Sequence, residues 1–331
     1  MIKEKMESSL AGKRLSLLSV TEIRKLLEGV APDEALIAKL KHDSRAGVRN
    51  LACSFSARKE HNDCLEFKHA EMLTFECELR AGGISLIAGL DEAGRGPLAG
   101  PAAVGCVIFA DDVHLPGLDD SKKMTAPNRE EMYSRILDAS RAWSVVVTDH
   151  REIDEFGVHV AVLRGMGKAV ENLSVTPEIA LVDGRSLPQL ACPGRSIVHG
   201  DALSLTIAAA SVLAKVTRDR IMVEMDSRYP GYGFAGHKGY GSSEHIEAVR
   251  KLGPCDIHRI SFEIVSAVSP PGTVRTILEK RLWDATSPAV LECAANGIAR
   301  NSRFISENDL DYLRSVYREC KNVKDSNKVT K

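Results

Sequence analysis

An apolar run that ends on two adjacent carboxylates constrains the fold of this 331-residue chain more than any other feature. Residues 84–90 read ISLIAGL, Asp91 and Glu92 follow, and residues 94–101 form a glycine-rich loop, GRGPLAGP, here called the glycine loop. The run predicts a buried strand, and a strand end is a rigid place from which to aim a charge. Because neighbouring carboxylates repel each other and lose solvation when buried, the pair is costly without a compensating cation or shared proton. We therefore expect a functional site here.

The pattern over residues 84–266 alternates between strands and helices. A second strand is predicted over residues 102–109, close enough to the first to form a hairpin around the glycine loop. The later predicted elements are a helix over 127–141, a strand over 143–148, a helix over 151–173, a strand over 179–182, a short strand over 196–199 and a long helix from 201 to about 228. We expect an α/β domain with a mixed sheet and helices on its faces.

Helical extensions are predicted on both sides of this domain. Residues 1–83 combine charged and apolar residues at helical spacing and contain no catalytic constellation. After the VSPPG stretch at 268–272, residues 267–331 contain two predicted helices, over 273–285 and 307–318, with a partly flexible end. We expect the first extension to pack or to position substrate, and the second to dock as a helical appendage.

Composition narrows the class of protein. The net charge of −1 argues against a strongly basic nucleic-acid binder, so a nucleic-acid site would have to combine a local basic rim with bound cations. The eight cysteines include no C-x-x-C pair and no cluster at zinc spacing, which favours reduced thiols. No run reaches the roughly 18 apolar residues of a membrane span, and the N-terminus lacks a signal-peptide pattern. We expect a soluble, cytoplasmic, monomeric protein with no membrane partner.

Two more carboxylates end or begin predicted elements. Asp183 ends the strand over 179–182, and Asp201 begins the long helix. If the two strands are neighbours and the helix crosses their ends, both converge with Asp91 and Glu92, and such oxygen ligands select Mg²⁺ or Mn²⁺. A site of this kind suits hydrolysis of a phosphodiester. The plainer alternatives are a helix cap for Asp201 and a turn residue for Asp183.

The glycine loop also allows a different interpretation. Residues 94–99 formally fit the G-x-G-x-x-G/A fingerprint of dinucleotide-binding proteins, and Asp111 and Asp112 lie at a suitable distance to bind a ribose. Against this, Pro97 and Pro101 interrupt the expected helix start, and the adjacent carboxylates would repel a pyrophosphate. A nicotinamide-dependent oxidoreductase is therefore the rival hypothesis.

Five blocks in order carry a resemblance to a known family. They are DEAGRGPLAGP, DDSKK at 119–123, LVDG at 181–184, GDALSLTIAAASVLAKVTRDR at 200–220, and YPGYGFAGHKGYGSSEH with the following GPCDIHRISF. Over about residues 70–265 the chain resembles bacterial ribonuclease HII. The resemblance implies a ribonuclease H-like fold and an endonuclease that hydrolyses the RNA strand of RNA–DNA hybrids. It also implies nicking 5′ of ribonucleotides in duplex DNA, leaving a 3′-hydroxyl and a 5′-phosphate, in ribonucleotide removal.

The resemblance also assigns residues to roles. It implies that Mn²⁺ or Mg²⁺ is held by four catalytic carboxylates, which are Asp91, Glu92, Asp183 and Asp201. It implies substrate contacts from two loops and a tyrosine, namely Gly94, Arg95, Gly96, Ser121, Lys122 and Tyr240. No organic cofactor is expected, and the partners are RNA–DNA hybrid and ribonucleotide-containing duplex DNA. A nucleic-acid-binding module that has lost catalysis is the second alternative.

The remaining polar residues of these blocks are expected to be structural. For Lys215, Arg218 and Arg220 on the long helix we expect solvated or ion-paired side chains. His237 is expected to be a hydrogen-bonded loop histidine, and residues 258–262 to pack the end of the core.

Overall fold

The computed structural model describes residues 18–27 and 32–329, with side chains as far as residue 324. The chain forms two compact units, Met1–Glu71 and Met72–Lys331. This division falls before the boundary after residue 83 that the sequence pattern suggests. The physical reason is that Glu76 lies in the second unit, where its carboxylate accepts hydrogen bonds from Ser204 and Thr206. The assignment of residues 84–266 as a separate catalytic domain stays a prediction.

The first unit is helical, as predicted. Its helices are α1 (Val20–Leu27), α2 (Glu34–Lys41) and α3 (Ala46–Met72, whose last residue lies in the second unit). Asp33 caps α2, since its side chain accepts a hydrogen bond of 2.7 Å from the Leu36 N–H. The buried apolar core of this unit consists of Ile23, Leu27, Leu40, Val48, Leu51 and Ala52.

A mixed five-stranded sheet lies in the second unit. Its strands are β1 (Ile87–Ala93), β2 (Ala102–Phe109), β3 (Ser140–Thr148), β4 (Ile179–Asp183) and β5 (Gly194–Ile197). Their order in the sheet is β3-β2-β1-β4-β5. β2 is antiparallel to both β1 and β3, and β4 is parallel to both β1 and β5. The predicted hairpin around the glycine loop and the predicted mixed sheet are confirmed.

Helices flank the sheet, and two of the predicted helices are each divided in two. The helices are α4 (Thr74–Ala81), α5 (Ala126–Ala139), α6 (His150–Phe156), α7 (Val158–Glu171), α8 (Gly200–Leu203) and α9 (Leu205–Arg228). The predicted helix over 151–173 is interrupted at Gly157, whose φ of 79° is incompatible with a continuous right-handed helix. The predicted helix from 201 is interrupted at Ser204, whose extended backbone and side chain cap α9.

The backbone of helix α9 lies in direct contact with the backbone of strands β1 and β2. A Cβ added to Gly89 of β1 would lie 2.1 Å from the carbonyl carbon of Thr206, and one added to Gly105 of β2 would lie 2.2 Å from the Ala210 oxygen. Glycine at both places therefore allows the helix and the strands to touch without intervening side chains. The close packing holds α9, and α8 before it, beside the carboxyl end of β1.

The chain after α9 is mostly helical, and the extension from residue 267, helical as predicted, contains one α-helix more than expected among the described residues. The elements after α9 are α10 (Phe234–His237), α11 (Ser243–Leu252), α12 (Glu263–Val268), α13 (Thr273–Trp283), α14 (Pro288–Arg300), a 3₁₀ turn (Ser302–Phe304) and α15 (Glu307–Val329). Helix α14 was not predicted, and α15 runs beyond the predicted end at residue 318. Among the residues described, no helix combines the length and apolar character needed to cross a membrane.

Candidate active site

Four carboxylates lie at one edge of the sheet. Asp91 and Glu92 occupy the carboxyl end of β1, and Asp183 ends β4, its parallel neighbour, in a register that pairs Leu90 with Val182. Asp201 lies in α8. Burial foremost, and then the negative charges of the other three, raise the pKa of Asp91 well above its usual range. The charges are therefore close enough to act on one another.

Fixed positive groups offset part of this negative charge. The Lys122 ammonium lies 3.2 Å from a carboxylate oxygen of Asp201, and Nε of Arg95 lies 2.5 Å from Oε1 of Glu92. The Gly200 N–H donates a hydrogen bond of 2.7 Å to Asp183. Burial opposes the charge on Lys122, but the carboxylates outweigh burial and raise its pKa. Burial is also the main reason that the pKa values of Glu92 and Asp183 are raised, so the cluster is only partly compensated.

The chemistry of these donors fits a hard divalent cation. All are carboxylate oxygens, and Oε2 of Glu92 is buried without a hydrogen-bond partner among the described residues. Within the same residues, no three His, Cys, Asp or Glu side chains are arranged closely enough to hold a metal ion by themselves. Lys122 and Arg95 contact the carboxylates instead. A cation would compete with these two side chains and would satisfy the orphaned oxygen of Glu92.

The glycine loop presents two backbone donors beside the carboxylates. The carbonyl oxygens of Gly94 and Arg95 accept hydrogen bonds of 2.7 and 2.9 Å from the buried guanidinium of Arg259. Because a trans peptide is planar, with its N–H opposite its C=O, the N–H groups of Arg95 and Gly96 point away from Arg259. Among the described residues, neither N–H has an acceptor. The loop therefore offers two unused donors.

Tyr240 stands next to this loop. Its side chain is 44% exposed, and its ring lies 5.6 Å from the Arg218 guanidinium and 5.9 Å from the Lys215 ammonium. The Leu98 N–H donates a hydrogen bond of 2.8 Å to the Gly239 carbonyl, which joins the two loops. An aromatic face beside a cation and backbone donors suits contact with a nucleotide sugar or base.

Two buried histidines hold the backbone of Tyr240. The Cys255 N–H donates to Nδ1 of His258, so His258 carries its proton on Nε2 and donates to Nε2 of His245, 3.1 Å away. Nδ1 of His245 then donates to the Tyr240 carbonyl at 2.9 Å. Burial is the main reason that the pKa of His245 is lowered to about 4 and that of His258 to about 3. Both rings are therefore neutral at physiological pH.

The DDSKK loop contributes one side chain to the site and one to the core. Ser121 is 2% exposed, and its hydroxyl is hydrogen-bonded to that of Ser211 at 2.7 Å. Its neighbour Lys122 has a 76% exposed side chain that reaches Asp201. The structure thus places the Ser121 hydroxyl inside the fold, paired with another buried hydroxyl. Of these two residues, Lys122 is the one at the carboxylates.

The expectation of a solvated or ion-paired side chain is wrong for Arg218. Lys215 does pair with Asp219 at 2.8 Å, but Arg218 is fully buried. Its guanidinium donates to the carbonyl oxygens of Pro101 and Lys238, both at 2.9 Å, and so joins the glycine loop to the loop of Tyr240. The helical spacing of the sequence could have indicated this burial, since residue 218 lies on the same face of α9 as the buried positions 207, 211 and 214.

Glu76 is a buried residue that no sequence pattern singled out. It is fully buried in α4, and one carboxylate oxygen accepts hydrogen bonds from the Ser204 hydroxyl at 2.7 Å and from the N–H and hydroxyl of Thr206 at 3.0 and 2.8 Å. These contacts hold the interruption between α8 and α9 at Ser204, three residues after Asp201, in a fixed conformation. No local pattern around residue 76 indicates this role.

Two expected structural roles are confirmed, and the rival hypothesis for the glycine loop is not. His237 is hydrogen-bonded to the Tyr232 carbonyl and to the Gly239 N–H, as predicted for a loop histidine. His258 and Arg259 are buried, as predicted for the end of the core. The dinucleotide-binding hypothesis is wrong, because the glycine loop leads into strand β2 and opens no helix whose N-terminus could bind a pyrophosphate.

Comparison with known proteins covers both units. The ribonuclease HII family model matches residues 88–265, and the model of the ribonuclease HII N-terminal domain matches residues 19–80. Ribonuclease HII of Halalkalibacterium halodurans is 46% identical over 250 residues, 75% of this chain and 95% of that protein. Ribonuclease HII of Nocardia farcinica is 47% identical over 234 residues, 70% of this chain and 90% of that protein. The ribonuclease H2 structure from Pyrococcus horikoshii OT3 is 26% identical, with a TM-score of 0.48, and the match covers 55% of this chain and 96% of that one.

Proposed function

This chain belongs to the ribonuclease HII family, and we propose that it is a divalent-metal-dependent endonuclease that also nicks duplex DNA 5′ of single embedded ribonucleotides. As a ribonuclease H type II endonuclease it acts on RNA paired with DNA. The nick would leave a 3′-hydroxyl and a 5′-phosphate. The observation that carries the finer proposal is the placement of two unused backbone donors, on Arg95 and Gly96, beside the carboxylate cluster.

The four carboxylates at the sheet edge would hold Mn²⁺ or Mg²⁺. Asp91, Glu92, Asp183 and Asp201 supply oxygen donors, and the orphaned oxygen of Glu92 supports this assignment. When bound, such ions lower the pKa of a water molecule and neutralise charge on the phosphate. Lys122, mostly exposed and next to Asp201, would contact the phosphate backbone of the substrate.

Recognition of the ribonucleotide would fall to the glycine loop and Tyr240. A 2′-hydroxyl is the group that separates RNA from DNA, and it can accept hydrogen bonds from the N–H groups of Arg95 and Gly96. The exposed ring of Tyr240 lies close to Gly96, so a sugar bound at the loop would contact it. We propose that the cell uses this selectivity to remove ribonucleotides from its DNA. Cytoplasmic location and a monomeric state stay predictions.

A duplex that contains one ribonucleotide tests the proposed function. We expect the purified protein to make one metal-dependent nick 5′ of the ribonucleotide in Mn²⁺ or Mg²⁺, and none in EDTA. The same duplex with deoxyribose throughout is the control and should stay intact. Cleavage that persists in EDTA would reject the metal site, and equal cleavage of the all-DNA duplex would reject ribonucleotide recognition.

Two glycines of the loop should respond differently to alanine. A Cβ on Gly96 would meet only the Tyr240 ring, at 3.8 Å, so we expect Gly96→Ala to fold with unchanged stability. Its methyl group would nevertheless occupy the space between the loop and Tyr240, and a displaced sugar should lower kcat/KM at the ribonucleotide by about tenfold or more. Gly94→Ala should instead lower stability, because φ is +95° there and a Cβ would lie 2.2 Å from Arg218.

Cleavage kinetics and urea unfolding of both variants measure these effects. Gly236→Ala is the matched control, since a Cβ there meets nothing within 4 Å. Full kcat/KM in Gly96→Ala would argue against a sugar bound between the loop and Tyr240.

A further inference from the structure

Arg281 of the C-terminal extension is buried against the catalytic part of the second unit. It lies on α13 and is 3% exposed. Its guanidinium donates hydrogen bonds of 2.8 Å to the Asp154 carboxylate, 2.7 Å to the Asp256 carbonyl and 2.6 Å to the His258 carbonyl. A buried guanidinium with this many acceptors holds each of them in a defined place. Arg281 therefore ties α13 to the segment from 256 to 261, here called the bridging segment.

Asp154, the ion-pair partner of Arg281, also binds the bridging segment. Asp154, on α6, is 4% exposed and accepts hydrogen bonds from the Ile260 N–H at 3.2 Å and from the Ser261 N–H at 2.8 Å. One buried ion pair thus fixes both carbonyl and N–H groups of the bridging segment. Removing Arg281 would leave Asp154 as an unpaired buried carboxylate and two carbonyls without their donor.

The bridging segment in turn holds the glycine loop. Arg259 is fully buried and donates to the carbonyl oxygens of Gly94, Arg95 and Gly100 at distances between 2.7 and 2.9 Å. Two backbone hydrogen bonds of 2.8 Å add to these, from the Gly100 N–H to Ile257 and from the Arg259 N–H to Leu98. The peptide planes that present the unused N–H groups are therefore oriented from the bridging segment.

Arg259 depends on its surroundings to stay in place. Among the described residues, its side-chain hydrogen bonds go to carbonyl oxygens, and no carboxylate forms a salt bridge with it. Burial foremost, and then the neighbouring guanidinium of Arg218, lower the pKa of Arg259 to about 9. The position of this guanidinium therefore depends on its carbonyl partners and on the backbone that carries it.

We propose that Arg281 is a positioning residue for ribonucleotide recognition, acting through the bridging segment and Arg259 on the glycine loop. The proposal rests on the proposed function of that loop and extends it, because it gives the C-terminal extension a part in substrate selectivity. Arg281 lies in the helical extension, and its hydrogen bonds among the described residues go to Asp154 and to the bridging segment.

The test compares Arg281→Met with Arg275→Met. Arg275 lies on the same helix, with a 42% exposed side chain paired to Asp309 at 3.3 Å, and is the matched control. Two quantities are measured: kcat/KM for a duplex with one ribonucleotide, and the inhibition constant of the all-DNA duplex as a competitor. We expect Arg281→Met to lower kcat/KM by about tenfold or more and to change the inhibition constant less than about twofold. Arg275→Met should leave both unchanged.

A purely structural role would give a different result. Partial unfolding would change cleavage and competitor binding in parallel, and that outcome, like full retention of kcat/KM, would overturn the inference. If Arg281→Met does not fold, Asp154→Asn combined with Arg281→Met removes the unpaired carboxylate and allows the same comparison. If the wild-type protein does not distinguish the ribonucleotide-containing duplex from the all-DNA duplex, the proposed function is rejected. If the wild-type protein does distinguish them and Arg281→Met retains the wild-type kcat/KM, this inference alone is rejected.

Hydrogen–deuterium exchange gives a local readout. We expect faster exchange in peptides that contain residues 94–101 in Arg281→Met, and no change there in Arg275→Met. Arg281→Lys should fall between, because an ammonium can pair with Asp154 but cannot reach all the acceptors of the planar guanidinium. Unchanged exchange of the glycine loop in Arg281→Met would overturn the proposed path.

Discussion

Replacing Asp91 by asparagine is expected to lower metal-dependent cleavage by roughly 10³-fold or more, because the amide cannot supply the charge that a divalent ion requires. The same change should make the metal-free protein more stable. Burial and neighbouring carboxylates raise the pKa of Asp91, which means that the ionised form is disfavoured in the folded state at neutral pH. A neutral side chain of the same shape removes this cost, and its oxygen can still accept the 2.7 Å hydrogen bond from the Glu92 N–H.

Opposite signs for activity and stability are what distinguish a functional carboxylate from a structural one. Cleavage rates in Mn²⁺ and urea unfolding in EDTA measure the two effects, and we expect a gain on the order of 1 kcal/mol in unfolding free energy. Asp111→Asn, at a 74% exposed carboxylate paired with Arg80, is the control and should change neither quantity. An Asp91→Asn protein that keeps a tenth of the wild-type rate, or that loses stability without metal, would contradict this account of the site.

Replacing Gly89 by alanine is expected to lower the free energy of unfolding more than the alanine substitutions at the other glycines described above. The new Cβ would lie 2.1 Å from the Thr206 carbonyl carbon and 2.5 Å from the Ile207 nitrogen, so backbone must move on one side or the other. Overpacking of this severity costs about 3 kcal/mol or more. Activity should fall as well, because Gly89 and Asp91 lie two residues apart on β1 and face the same side of the sheet.

Urea unfolding at neutral pH measures the loss. Gly236→Ala is the control, since its Cβ has open space and the position lies in α10, where alanine is favoured over glycine by up to about 1 kcal/mol. A loss of less than 1 kcal/mol in Gly89→Ala would mean that the helix is free to move away from the sheet and does not hold α8 in place.

Local patterns were sufficient for the strands and for the positions of the charged residues. The apolar runs at 84–90 and 102–109 predicted the hairpin, because its two strands and the glycine-containing turn between them follow one another directly in the sequence. Gly157 and Ser204 show where this reasoning fails. Both lie in stretches with helical spacing, but a left-handed glycine and a serine cap interrupt the helix for reasons that depend on the packing of each half.

The residue types and their order determined the α/β class, the hairpin, and the presence of four carboxylates at the ends of elements. Only the tertiary structure decided that Arg218 and Arg259 bind carbonyl groups of the glycine loop. It also decided that Ser121 turns inward and that Arg281 reaches the bridging segment from the C-terminal extension. The physical reason is that hydrophobic periodicity reports on neighbours within a few positions. The glycine-loop carbonyl groups that bind Arg218 and Arg259, by contrast, lie more than a hundred residues away in the chain and are brought to them only by the packing of helices on the sheet.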